Sequence, residues 1–284
     1  RWLIDDAVKQ RLVADVELGM LLSGGIDSSL IVSSSVCAKT AASVKTFTVG
    51  FEDPRFDESV SASKIAHYLG TEHHESRLDP DDALSIIPEL PGIYDEPFGD
   101  ASQLPTVLVC RKAREHVKVA LSGDGGDEFF HGYSRYKRKM AQWDRIRSWP
   151  RFLRGPLGAA THTMGALALQ RAPLGMLPGN RYYDLARAGQ LAQASSLEAA
   201  YDLGVSAWTL QDSFLRDEYG VHARSLHNAP GFLGESVSAL AMTDQQSYLP
   251  DDILCKVDRA SMAVGLEMRA PLLDHRLIEF AWTI

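Results

Sequence analysis

Long apolar runs are missing from this sequence. No stretch reaches the roughly 18 apolar residues a membrane-crossing helix requires. The nearest, Gly155 to Leu169, is shorter and carries His162 between two threonines. The opening Arg1-Trp2-Leu3-Ile4-Asp5-Asp6 has no extended apolar segment of the secretory kind. Cysteine is scarce. Cys37, Cys110 and Cys255 are odd in number, far apart and match no metal-ligand spacing, which argues against a disulfide scaffold and for a reduced, cytoplasmic setting. Positive charge is also short, 29 Lys+Arg against 37 Asp+Glu, for a formal charge of −8. That balance argues against broad electrostatic capture of nucleic acid or of an anionic membrane. Low-complexity tracts and fixed-period repeats are absent too.

What is present suits a globular chain: 45% apolar and 23% charged residues over 284 positions, enough to bury a large core. Apolar spacing predicts a helix within residues 2–17. The short run Gly19-Met20-Leu21-Leu22 then stops at Ser23-Gly24-Gly25, and helical periodicity resumes from Ile26. The unit recurs: a strand at 44–51, a helix at 59–69 ended by Gly70, a strand at 72–76, a helix from about Pro80, another near 106–116, and a strand at 117–121. Strands alternating with helices predict a doubly wound parallel α/β sheet. From about Tyr133 the strand signal fades. The expected organisation is therefore an α/β core at 1–132 and a mainly helical part at 133–284. Arg1 is not an initiator methionine, and a helix capped by Asp274 reads as still running at the end, so the sequence reads as a piece of a longer protein.

Two glycine-rich loops follow predicted strands. In Ser23-Gly24-Gly25-Ile26-Asp27-Ser28-Ser29, the glycines admit an anion close to the backbone, and the following helix offers free N–H groups and its positive dipole end. Ser23, Ser28 and Ser29 add hydroxyls. Asp27 would repel phosphate unless a cation sits between them, and Mg²⁺ favours one or two carboxylates plus phosphate oxygens. The loop is not a Walker A sequence, since Gly-Lys-Ser/Thr is missing. The second loop, Ser122-Gly123-Asp124-Gly125-Gly126-Asp127-Glu128, emerges at the same edge of a parallel sheet, where open α/β folds bind ligands. Asp127 suits a metal and Asp124 the substrate.

Ser23 to Ser29 resembles the pyrophosphate loop of the N-type ATP pyrophosphatases, whose core is adenine nucleotide alpha-hydrolase-like. Leu121 to Tyr133, with Tyr248-Leu249-Pro250-Asp251-Asp252-Ile253-Leu254-Cys255-Lys256-Val257-Asp258-Arg259 and Leu266 to Asp274, is similar to the synthetase domain of glutamine-dependent asparagine synthetases. That resemblance implies cofactors ATP and Mg²⁺. The β-carboxylate of aspartate is adenylated with release of pyrophosphate, and ammonia from a glutaminase domain then gives asparagine and AMP. It also implies that Ser23, Gly24, Gly25, Ser28 and Ser29 hold pyrophosphate and that Asp27 and Asp127 bind metal. Leu22, Val49, Ser122 and Gly123 would line the nucleotide site, and Asp124, where many members have Glu, would serve formation of the acyl-adenylate. A homodimer is among the assemblies the resemblance allows; no membrane or nucleic-acid partner is implied.

Departures keep other readings open. The family's N-terminal cysteine nucleophile has no counterpart, and its catalytic lysine falls downstream of the Pro-Leu-Leu-Asp block, in a segment not included here; Lys256 is not that residue. Asp100 sits near where some relatives use Arg, so another acceptor carboxylate, a lactam-forming or sugar-modifying relative, or a non-catalytic ATP-binding module stay as alternatives. His73-His74-Glu75 reads as a surface strand rather than a metal site, because adjacent strand residues face opposite ways. The basic stretch Arg135 to Arg154, with Trp143, Trp149 and Phe152, reads as an amphipathic helix packed on the domain. Lys256 and Arg259 share a helical face and are open to either an anionic ligand or a salt bridge.

Overall fold

A computed structural model describes residues 1–38, 43–55, 57–171, 181–205, 234 and 236–284. It divides into two units, Arg1–Gly132 with Ser247–Ile284, and Tyr133–Gln246.

The first unit alternates strand and helix as the apolar pattern predicts. In chain order it contains α1 (Trp2–Arg11), β1 (Leu18–Leu21), α2 (Ile26–Ala38), β2 (Lys45–Phe51), α3 (Ser59–Leu69), β3 (Glu72–Leu78), α4 (Pro80–Ile86), α5 (Leu90–Tyr94), α6 (Gln103–Arg114), β4 (Val119–Leu121) and α7 (Gly126–Phe129). With β5 (Glu267–Arg269) the strands form one parallel sheet of order β3-β2-β1-β4-β5, in register pairs such as Met20 with Thr46 and Met20 with Leu121. Each face of the sheet is covered. Leu18, Met20, Leu22, Val119 and Leu121 pack under α1, α2 and α3, while Phe47 and Ala120 pack under Val107, Ala113 and Tyr94 on the other side. Period-two alternation thus sends neighbouring residues of one strand into two cores, the pattern expected of a doubly covered parallel sheet. Truncating the fully buried Leu121 to alanine would cost about 3 kcal/mol by the usual large-to-small penalty.

The C-terminal 38 residues correct the expected organisation. The sequence places them in a mainly helical part at 133–284, yet Ser247–Ile284 groups with Arg1–Gly132. Its segment Leu249–Leu254 is a π-helix leading into α13 (Cys255–Met262), followed by β5 (Glu267–Arg269) and α14 (His275–Ala281). The reason is β5, which pairs in parallel with β4 and completes the sheet. Three residues reading Glu-Met-Arg carry no strand signature of their own. Asp274 caps α14 as expected, accepting from the Arg276 amide, with Leu277 and Ala281 buried. The opening helix is shorter than the predicted span and ends at Arg11.

The described elements of the second unit are all helices, α8 (Ser134–Arg147), α9 (Arg151–Arg171), α10 (Arg181–Gln193), α11 (Leu197–Val205) and α12 (Val237–Gln246). Its centre is polar as well as apolar. Asp244, fully buried, accepts from Arg135 and from the hydroxyls of Tyr136 and Tyr201, both at 2.8 Å. Burial, then the Asp244 charge, push both tyrosines well above the ordinary phenol range. The basic stretch is two helices, broken at Trp149-Pro150. Trp143 is buried in the unit while Trp149 and Phe152 are exposed, so only part of its aromatic set packs inward. Among the described residues no helix is long and apolar enough to cross a membrane.

Candidate active site

The sheet order fixes where a ligand belongs. β2 and β3 lie to one side of β1, β4 and β5 to the other, so the chain reverses its winding between β1 and β4. The crevice beyond the carboxyl ends of those two strands is the switch point at which open α/β sheets bind ligands. Both glycine loops open there, one after β1 and one after β4.

The first loop is held by its own serines. The hydroxyls of Ser23 and Ser28 lie 3.0 Å apart, the Gly25 amide donates to Ser23 Oγ at 3.3 Å, and Ser29 donates to the Gly25 carbonyl at 2.6 Å. Gly24 takes φ +84°, and a Cβ there would meet the α3 backbone at Ala62 N, 2.9 Å away. Only glycine accepts both the left-handed conformation and that approach. The second loop lies against the first. A Cβ on Gly123 would fall 2.8 Å from the Ser28 amide, and one on Gly126 would fall 2.3 Å from Asp27 Oδ2. Glycines that looked like anion contacts in the sequence therefore also let the two loops touch.

That contact brings Asp27 and Asp127 into one electrostatic neighbourhood. Desolvation, then the Asp127 charge, raise the Asp27 carboxyl above its ordinary value. Two carboxylates that repel each other at the mouth of a helix suit a divalent cation. Among the described residues no group of three or more His, Cys, Asp or Glu side chains could hold a metal alone. A cation shared with phosphate oxygens fits this donor set better than a closed protein cage. Asp124 accepts from Ser122 Oγ at 2.6 Å. It keeps a partly exposed edge, but crowding by protein atoms pushes its carboxyl up, against the pull of the Ser122 hydrogen bond and the Lys256 charge.

Three cavities adjoin along this edge, all within the first unit. A cleft of about 660 Å³ is lined by Ser23, Gly25, Asp27, Ser28, Ser122, Gly123, Asp124 and Asp127. An apolar pocket of about 200 Å³ shares Leu21, Ser23, Glu58, Thr106 and Val109 with it, and Leu22, Phe47 and Val49 are among the rest of its wall. A third, of about 510 Å³, meets the cleft at Ser122, Asp124 and Val257. The expected site residues are thus gathered at one edge, except that Gly24 and Ser29 line none of these three cavities and act on the shape of the first loop.

Glu58 and Lys256 are the charged cleft residues that motif reading did not assign. Glu58 precedes α3 and faces both the apolar pocket and the cleft; its one signal was its place in the helix-start segment Asp57-Glu58-Ser59. Lys256 faces the cleft while pairing with Asp100, and Arg259 pairs with Asp95. The salt-bridge alternative is therefore realised for both residues, and Lys256 also lines the cleft. His73 and His74 stay structural: His73 Nδ1 lies 2.9 Å from Thr46 Oγ1, and His74 stacks on Phe47 and bonds Glu72.

A doubly wound sheet with a serine-glycine loop at its switch point, an apolar pocket beside it and two acidic side chains in front has the layout of a nucleotide-binding α/β domain. The family model for asparagine synthase matches residues 1–284, and the chain belongs to that family. Bacillus subtilis asparagine synthetase [glutamine-hydrolyzing] 1 is 30% identical over 289 residues, covering 98% of this chain and 42% of its own. A Mycobacterium tuberculosis protein, whose name gives the same activity provisionally, is 32% identical over 285 residues, 98% of this chain and 41% of its own. Mouse asparagine synthetase [glutamine-hydrolyzing] is 35% identical over 142 residues, 47% of this chain and 25% of its own. The chain therefore spans about two fifths of the length of the relatives it matches nearly end to end.

Proposed function

We propose that this domain activates a carboxylic acid, aspartate foremost, by adenylation for attack by ammonia. The observation that carries the reading is the apposition of the two glycine loops at the switch point, with Asp27 against Gly126 and the Asp127 charge beside it. A substrate carboxylate oxygen attacks the α-phosphorus of ATP, the bond from that phosphorus to the bridging oxygen breaks, and pyrophosphate leaves. Ammonia nitrogen then attacks the acyl carbon, the acyl–oxygen bond to AMP breaks, and the nitrogen sheds a proton.

Each step asks for something these residues can supply. The hydroxyls of Ser23, Ser28 and Ser29 and the amides of Gly24 and Gly25 would hold the departing pyrophosphate at the start of α2. Asp27 and Asp127 would hold Mg²⁺, which when bound neutralises phosphate charge and polarises the phosphoryl group. The apolar pocket at Leu22 and Val49 would take the adenine ring, with Ser122 and Gly123 beside the nucleotide. Glu58, between that pocket and the cleft, is placed to accept from ribose hydroxyls. Asp124, at the meeting of cleft and third cavity, would face the acyl carbon and the incoming nitrogen.

The test is acid-dependent ATP–pyrophosphate exchange by the full-length protein, with Asp27→Ala as control and a panel of carboxylic acids. Exchange with aspartate, lost in the variant, supports the reading. Exchange only with a different acid keeps the chemistry and replaces the substrate. Mg-ATP binding without exchange under any acid, in the presence and absence of ammonia, would leave a binding module instead.

A further inference from the structure

The cleft is short of positive charge. Its lining carries four carboxylates, Asp27, Glu58, Asp124 and Asp127, and among the described lining residues a single cation, Lys256. Asp27 and Asp127 suit a metal, which leaves Lys256 as the protein's own positive group at the Asp124 end. The side chain is not loosely placed. Only 8% of Lys256 is exposed, and its Nζ donates to Asp100 Oδ2 at 2.6 Å and to Ser102 Oγ at 2.7 Å. An ammonium has three N–H donors, so this clamp leaves one for a ligand. Asp100 is itself fixed, accepting from the Ser102 amide at 2.8 Å and from its hydroxyl at 2.7 Å. The backbone contributes as well, because Lys256 lies two residues beyond the π-helical turn Leu249–Leu254, an irregularity common at functional sites.

We infer that Lys256 binds the carboxylate of the acid substrate beside Asp124, and that Asp100 with Ser102 is the positioning pair that holds its ammonium there. This deepens the adenylation reading and rests on it. An anionic acid entering next to Asp124 meets a like charge, and only a fixed cation offsets that repulsion. The phosphates have hydroxyls, loop amides and the carboxylate-bound metal as partners, so the acid is the substrate in need of Lys256. The pair also resolves the electrostatic puzzle at Asp100: its carboxylate stands behind the ammonium, and the charge presented to the cleft is positive.

The experiment uses the full-length protein and measures exchange while acid and ATP are varied separately, with ATP binding followed directly and thermal melting as a fold check. Lys256→Gln is expected to raise the KM for the acid at least tenfold and to change ATP affinity by less than about threefold. Lys256→Arg should recover part of that loss. Asp100→Asn should raise the acid KM by a smaller factor, and adding it to Lys256→Gln should change little more, because the ammonium it holds is already gone. An unchanged acid KM in a folded Lys256→Gln protein, or a loss falling on ATP instead, overturns the inference while adenylation stands. If the unaltered protein exchanges with no acid, the adenylation reading is lost and this inference goes with it. Should both Lys256 variants fail to fold, Asp100→Asn decides alone: a raised acid KM with unchanged ATP affinity supports the pair, and a normal acid KM ends it.

Discussion

Gly126→Ala is expected to disable the site while leaving the fold standing. Gly126 opens α7 outside the left-handed region, so alanine is acceptable to the backbone. The added Cβ would lie 2.3 Å from Asp27 Oδ2, 2.4 Å from Cγ and 2.8 Å from Oδ1. Ordinary contact begins at about 3.4 Å, so the Asp27 carboxylate must retreat by roughly 1 Å. It is the far end of a side chain, and swinging it off its preferred rotamer costs about 1 kcal/mol. For a domain of this size that corresponds to a fall of about 2–4 °C in Tm.

Function should suffer more than stability. Mg²⁺ demands near-octahedral ligands at closely set distances and tolerates displaced oxygens poorly. A misplacement of about 1 Å at a reacting centre costs on the order of 100-fold in rate, about 2.7 kcal/mol on the barrier. Exchange rate is measured against Mg²⁺ concentration for Gly126→Ala, Asp27→Ala and the control Gly92→Ala, whose Cβ would meet nothing within 4 Å. The expected order has Gly92→Ala at the normal rate, Gly126→Ala about 100-fold down and Asp27→Ala lower still. A Gly126→Ala protein that exchanges normally at ordinary Mg²⁺ would refute the idea that the glycine exists to seat Asp27.

Other perturbations test the supports of the site. Val49→Trp should block the apolar pocket and weaken ATP binding at least tenfold with little change in acid KM, read by titration with nucleotide. Asp274, 3% exposed, accepts from Arg11 at 2.6 Å and from Arg276, whose hydrogen bonds hold its carboxyl well below the ordinary range. A lowered folded pKa gives stability that is present above the unfolded value near 3.9 and lost as pH falls below it. Asp274→Asn should cost about 2 kcal/mol at neutral pH by removing the charge-assisted bonds to Arg11 and Arg276, and should flatten the acid limb of a denaturation series below about pH 4. In the helical unit, Asp244→Ala leaves Arg135 and two tyrosine hydroxyls without their shared acceptor. A loss of about 3–5 kcal/mol is expected, read by chemical denaturation.

The parts of this molecule legible in sequence are those whose physics is local. Met20 and Leu121 lie in runs that alternate or stay apolar over a few residues, and strand, glycine turn and helix start follow one another without a long-range partner. β5 was illegible because Glu267-Met268-Arg269 becomes a strand by pairing with β4, across a chain separation no short window spans. Gly126 could be read as a turn residue, but not as the seat of Asp27, which precedes it by 99 positions.

The same reasoning explains why Asp100 looked like a liability. An acid near a substrate that is itself an acid repels it, and taken by itself Asp100 argues for a different acceptor. The charge that matters is that of the pair: Lys256, 156 residues further on, donates to Asp100 from the cleft side. Burial works upward on the Asp100 carboxyl, but the Lys256 and Ser102 hydrogen bonds and the lysine charge outweigh it and hold it below the ordinary range, so it stays an anion and keeps the ammonium in place. A cation in the cleft backed by an anion is also more rigid than a lone lysine, whose flexible stem loses more entropy when a ligand fixes it. Acid recognition here therefore depends on the pairing of two residues, and a substitution at either one alone misstates the charge the substrate meets.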